Sequence, residues 1–196
     1  MKNIALLVVA MLVCWRLFGS DPVVVLGDGV KVAEAPVQTK PLNNESFDYK
    51  DFHITPLADF KIKAKILSKT KYRLGREADL SPVDLALGWQ NMSDESVLSE
   101  IDISQSRRWY RWHVQQLPIP RNEIETQSAN MHMVPANDQV ADAIAMAKQG
   151  QLIAIEGYLI RADADDGWHW QSSLTRKDTG ANACELIFVQ QFQILN

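Results

Sequence analysis

Lys61, Lys63 and Lys65 alternate with Ile62, Ala64 and Ile66. A period of two puts successive side chains on opposite faces, so this stretch folds as a strand with one wet face. Further on, Gln151 to Arg161 is apolar on both faces, as in a strand that is central or curls through a barrel, and Gly157 within it predicts a bulge or sharp bend. Ile101 to Val114 and Ile124 to Val134 read as strands separated by Pro118 and Pro120. Asp163 to Gly167 reads as a turn, Trp168 to Ser172 as a returning strand, and Leu186 to Leu195 as the closing strand. Helices are few and short. Ser81-Pro82-Val83-Asp84 has the residues of a helix start, Ser93-Asp94-Glu95 of another, and Asn137 caps a run in which Val140, Ile144 and Ala147 share a face before Gly150. The fold class expected is α+β, mainly β. Its architecture is expected to be an OB-like or similar partly open small barrel with one or two short helices, behind an N-terminal hydrophobic helix. A helix-decorated β-sandwich is the alternative.

With 196 residues, 46% of them hydrophobic, the chain can bury one core, which excludes a disordered polymer and a multi-span membrane protein. The net charge of −4 provides no basic field, so nucleic acid is not an expected partner. Residues 1–19 stand apart. Met1-Lys2-Asn3 precedes an unbroken apolar run from Ile4 to Trp15, the pattern of an export signal or a membrane anchor. As a helix, Ile4 to Phe18 spans about 22 Å, short of the ~30 Å hydrocarbon core, and Arg16 extends the span by snorkelling. No small-x-small cleavage site follows closely, so the expectation is a single-pass inner-membrane anchor with the soluble domain in the periplasm. A cleaved signal is the alternative. Residues 20–50 hold three of the eight prolines and read as a linker, with a possible hairpin over Val23 to Val32. Residues 51–196 form one β-rich domain. With Lys2 and Arg16 set aside, 18 basic residues face 24 acidic ones, a net −6 for the exported part. Cys14 lies in the apolar run, which leaves Cys184 without an intramolecular disulfide partner in the domain.

Two segments are candidate contact surfaces. Ser172, Ser173, Thr175, Arg176 and Asp178 crowd the polar loop from Gln171 to Gly180, where Arg176 can fork onto a carboxylate or phosphate. The plainer reading is a turn that bonds to itself. Arg108, Trp109, Arg111 and Trp112 interleave charge with aromatic faces, which suits single-stranded nucleic acid, sugars or polyanions. The export signal and net acidity count against nucleic acid, so an envelope protein or a small anionic ligand is the partner expected. The plainer reading buries the Trp rings under arginine stems. No metal site and no cofactor are expected, because His53, His113, His132 and His169 are scattered without ligand spacing. A hydrolase would have to be assembled by folding from His132 or His169 with Cys184, Ser172 or a metal, since no nucleophile-elbow motif is present. The Trp168 and Trp170 pair reads as packing.

Several blocks of wording go further. They are Phe52-His53-Ile54-Thr55-Pro56-Leu57-Ala58-Asp59-Phe60, Ala78-Asp79-Leu80-Ser81-Pro82-Val83-Asp84-Leu85-Ala86-Leu87-Gly88-Trp89, Ile103-Ser104-Gln105-Ser106, Arg108-Trp109-Tyr110, Ser128-Ala129-Asn130-Met131-His132, and Asp166-Gly167-Trp168 through Glu185. Together they resemble an uncharacterised family of bacterial proteins with an N-terminal membrane anchor. The resemblance spans roughly residues 51 to 192 and implies one domain and no assigned activity. The expectation for function is a membrane-tethered, non-enzymatic binding module outside the cytoplasm. The hydrolase is the alternative, and a structural subunit of an envelope assembly the third reading.

Overall fold

The computed structural model describes residues 22–175 and 184–195; the apolar run of residues 1–19 lies outside them. The protein is mainly β, built on one mixed sheet with a few short helices. The strands are β1 (Val37–Thr39), β2 (Phe47–Tyr49), β3 (Phe52–Lys71), β4 (Val83–Gly88), β5 (Asp102–Ser106), β6 (Trp109–His113), β7 (Ser128–Pro135), β8 (Leu152–Asp163), β9 (His169–Gln171) and β10 (Glu185–Ile194). The helices are α1 (Arg76–Leu80), α2 (Glu95–Leu98), α3 (Arg121–Thr126) and α4 (Asp138–Met146), with a 3-10 turn at Gln90–Ser93.

Five strands pair in a ring. β3 pairs with β4, β4 with β7 and β7 with β10. β10 then pairs with β8, and β8 returns to β3. All the contacts are antiparallel except β7–β10, which is parallel. The 20-residue β3 serves two neighbours by bending. Its first part pairs with β8 through Lys65, and its last part pairs with β4 from Lys65 to Lys71. Inside the ring lie Phe60, Ile62, Leu85, Leu87, Met131, Met133, Ile155, Leu159 and Ile187, closed by Val140, Ile144 and Ala147 of α4. The predicted apolar face of that helix is therefore present, and Asn137 Oδ1 accepts the Val140 N–H at 3.0 Å as its cap. Gly157 sits where predicted, opposite the Val189/Gln191 irregularity of β10, and a Cβ there would overlap the Phe188 carbonyl.

The register shift between Pro56 and Ala58 turns β3 over. Phe52 and Ile54 thereby join Leu80, Ile160, Leu186 and Phe188 in a second cluster outside the ring. A third outer cluster, Leu67, Ala86, Met92, Ile101 and Ile124, is covered by Ile103, Tyr110 and Trp112 of the separate β5–β6 ribbon.

Four local expectations are corrected. Ser81 to Asp84 opens the fully buried strand β4 rather than a helix; the helix precedes it, with Ser81 at its C-terminal end. Residues 101–114 form a hairpin instead of one strand, because Arg107 and Arg108 turn the chain at φ 51° and 70°. Residues 121–126 are helical before β7 begins. Lys65 is not on a wet face; it is 2% exposed and pairs with Glu95 at 2.5 Å.

Residues 22–50 lie against the domain instead of standing off as a spacer, and no hairpin forms over 23–32. The Val24 N–H donates to Gln149 O, and Gly150 has no Cβ to overlap the Val24 carbonyl. The Leu26 and Gly29 N–H groups donate to Glu95 and Asp94, and those of Lys31 and Val32 both donate to Ser93 Oγ at 3.0 Å. Val32 is buried in the ring core, and β1 and β2 both pair with β3. Backbone donors satisfied by the 3-10 turn and by the start of α2 replace the cross-strand ladder a hairpin would have made. Among the described residues no helix is long and apolar enough to cross a membrane.

Candidate functional site

In β4 the side chains of Val83, Leu85 and Leu87 point into the ring, so Asp84 and Ala86 point out. On β7 the same alternation turns Asn130 and His132 outward between Met131 and Met133. Asp84 and His132 are direct cross-strand partners. The outcome is a carboxylate with no exposed surface beside an imidazole residue only 2% exposed. His132 Nδ1 is 2.8 Å from Asp84 Oδ1. The contact is not aligned as a hydrogen bond, since Nδ1, like Asp84 Oδ2, has no hydrogen-bond partner among the described residues.

The charge on Asp84 is met from above by Arg108, whose guanidinium N–H donates to Asp84 Oδ1 at 2.6 Å. The tip of the β5–β6 hairpin delivers this arginine. A two-residue turn needs left-handed backbone at both central positions, which favours Asn-Gly, yet Arg107 and Arg108 occupy them. The tip is held by polar bonds from several elements. The Arg108 N–H donates to Tyr72 Oη at 2.9 Å, and Asn130 Nδ2 donates to Arg108 O at 3.1 Å. Gln105 Nε2 donates to Asn130 Oδ1 at 2.6 Å. The guanidinium lies 3.7 Å from the Tyr72 ring centre and 5.5 Å from that of Trp170, a doubled cation–π arrangement. Trp170 in turn packs on His132, with ring centres 4.6 Å apart. Burial raises the Tyr72 hydroxyl above its ordinary pKa although the Arg108 amide bond opposes it. Burial also pushes Tyr110, on the inner face of β6, up to about 12 despite its bond to Ser128. Both phenols are therefore neutral near neutral pH. The Arg108 side chain is 18% exposed, so its guanidinium, charged at any physiological pH, also reaches solvent.

The expected contact residues are distributed differently. Ser172 and Ser173 are buried and serve the backbone. Ser172 Oγ donates to Ser173 O and accepts the Leu186 N–H, while Ser173 Oγ takes both roles with Thr175. Thr175 is exposed at the margin of the described chain, and Arg176 and Asp178 lie outside the described residues. Trp109 and Arg111 face outward on β6, with Arg111 donating to Ser106 Oγ at 2.9 Å. Trp112 faces inward below Arg121. Arg108 alone of that segment joins the buried cluster.

The residues of the hydrolase reading are gathered only in part: Ser172 Oγ accepts the N–H of Leu186, the cross-strand partner of His132, while His169 is turned away. His169 is exposed on the face of β9 opposite Trp170 and pairs across the ladder with Asp163. The hydroxyl proton of Ser172 is committed to a carbonyl. Cys184 Sγ lies 4.0 Å from Asn130 Nδ2, two residues along β7 from His132. Among the described residues no group of three or more His, Cys, Asp or Glu is placed to hold a metal ion.

Sequence reasoning passed over Asp84, Tyr72, Asn130 and Gln105, and it treated Trp170 as packing. One signal pointed to Asp84: a single carboxylate inside the otherwise apolar run Val83-Asp84-Leu85-Ala86-Leu87. No family model matches this chain, and no curated protein or solved structure matches it either.

Proposed function

We propose that this chain is a membrane-tethered, extracytoplasmic binding module on an OB-like barrel, and that it takes an anionic group at Arg108. The barrel reading is supported by strand order. Numbered along the ring, β3, β4, β7, β8 and β10 give the order 1-2-3-5-4, with a helix between the third and fourth strands. OB barrels bind ligands on the face of their second and third strands. Here those strands are β4 and β7, whose outward side chains include Asp84 and His132.

One observation carries the anion reading. Two consecutive arginines hold left-handed backbone, at a cost of order 1–3 kcal/mol each, and this puts one guanidinium between two aromatic rings at the rim of a buried carboxylate. Among the described residues the guanidinium makes one hydrogen bond, to Asp84. A guanidinium offers five N–H donors in a fixed fork, which suits a carboxylate or phosphate. A small anionic solute and an acidic group of an envelope protein present the same chemistry to Arg108. The test is the melting temperature of the full chain in inorganic phosphate against chloride at equal ionic strength. Phosphate is expected to raise it for the wild type and not for Arg108→Lys, which keeps the charge but loses the fork. No rise in the wild type, or an equal rise in both, refutes the reading.

A further inference from the structure

We infer that one end of the barrel rests on the lipid surface of the membrane, through Val23, Val25 and Met146, and that the Arg108 site is presented at the opposite end. The inference rests on residues 1–19 being a membrane anchor, as proposed above.

The first argument is reach. Phe18 is the last apolar residue of the anchor and Pro22 the first described residue. The six residues from Phe18 to Val24, the first one bonded to the domain, span at most about 21 Å. A headgroup layer is about 5–7 Å thick, so a chain bound to the domain from residue 24 onward keeps that part of the domain within about 15 Å of the headgroups. Residues 22–32 are bound in this way at five places: Val24 to Gln149, Leu26 to Glu95, Gly29 to Asp94, and both Lys31 and Val32 to Ser93. A free spacer of 31 residues would have set the domain far off; this strap does not.

The second argument is what the strap exposes. Val24 and Leu26 turn toward the domain, while Val23 and Val25 are 55% and 73% exposed. Met146 is 66% exposed on the last residue of α4, three residues before the Gln149 that bonds Val24. Single exposed apolar side chains are ordinary. Four on the strap and the element it is stitched to, counting Val30, match a surface that meets the apolar side of the headgroup region.

Register fixes which end faces away. The Gly150 N–H donates to Ile66 O, and Ile66 is the partner of Leu87 near the end of β4. The 3-10 turn and α2 that hold the strap follow β4 directly beyond Gly88. Asp84 lies at the other end of β4, four residues and about 13 Å along the strand. Tyr72 lies one residue past Lys71, the partner of Val83.

The test places a photoreactive benzophenone side chain at position 25, 146 or 74 of the full chain, in vesicles of phosphatidylethanolamine and phosphatidylglycerol carrying a traceable lipid. Leu74, 91% exposed in the connection after β3, is the control at the far end. Lipid adducts at 25 and at 146 are expected to exceed those at 74 at least fivefold. An alkaline carbonate wash reports the anchor separately. Protein that stays in the vesicles while 25 and 146 label no better than 74 overturns the docking face alone. Protein washed from the vesicles overturns the anchor and the docking face together.

Discussion

Removing either member of the Asp84–Arg108 pair should destabilise the protein, and by unequal amounts. Breaking a buried ion pair on one side costs about 3–5 kcal/mol, chiefly because the remaining charge is left unpaired in a poor solvent. Where that charge can go decides the value. In Asp84→Ala the orphan is Arg108, already 18% exposed, which can turn into water, so the cost falls at about 3 kcal/mol. In Arg108→Ala the orphan is a carboxylate with no exposed surface, beside a histidine not aligned to hydrogen-bond it, so the cost approaches about 5 kcal/mol. At about 2–4 °C per kcal/mol for a chain of this size, the melting temperature should fall by about 6–12 °C and about 10–20 °C respectively. The double variant leaves no orphan and should cost less than the two single changes summed, by at least about 2 kcal/mol. The assay is urea unfolding of the four proteins followed by tryptophan fluorescence. Additivity within about 0.5 kcal/mol, or a larger loss for Asp84→Ala than for Arg108→Ala, would refute the argument that burial of Asp84 sets the energetics.

Three further changes probe other elements. Gly150→Ala adds a Cβ onto the Val24 carbonyl at a residue with φ 88°, so it should release the strap and speed protease cleavage within residues 22–32 about tenfold, and an unchanged cleavage rate would contradict the stitching. Asn137→Ala removes the acceptor of the Val140 N–H and should cost about 1 kcal/mol in thermal unfolding; no loss would mean that packing alone starts α4. Burial works against the charge on Glu95, but Lys65 and the Leu26 N–H outweigh it and hold its carboxyl below the ordinary 4.5. A depressed folded-state pKa gives stability that is complete above the unfolded value and is lost as pH falls through the folded one. The melting curves of the wild type and Glu95→Gln should therefore converge on going from about pH 7 to about pH 3, and a constant gap would rule the pair out as the cause.

Elements whose evidence lay within a few residues of each other were legible in the sequence. The capped helix from Asn137, the wet-dry alternation at Lys61 and Lys63, the bend at Gly157 and the return of Trp168 to Ser172 all rest on such local signals. Residues 22–32 failed the same test for a physical reason. Their Gly and Pro content marks a chain without regular structure, and that is also what an extended strap looks like when its partners are side chains some 60 residues away. The turn at Arg107-Arg108 was hidden because its residues are those least suited to it, and only its latch to Tyr72, Asp84 and Asn130 makes it stable.

The same order of effects explains why the centre of the candidate site was read as the start of a helix. Ser81-Pro82-Val83-Asp84 has a genuine capping pattern, and a cap contributes about 1 kcal/mol. As a strand, the same segment buries Val83, Leu85 and Leu87 inside the ring at about 1.5–3 kcal/mol each, so the tertiary gain outweighs the local preference. Strand pairing then fixes the face of Asp84. With both neighbours committed inward, its carboxylate must leave the ring on the side where His132 leaves β7. There its charge needs a counter-ion, and the hairpin tip supplies Arg108 from 24 residues away in sequence. No step of that chain is local. A lone carboxylate in an apolar run thus marks a place where the fold must bring in a cation. In this protein that cation is held in a conformation that costs energy and reaches the surface, and a purely structural counter-charge would require neither.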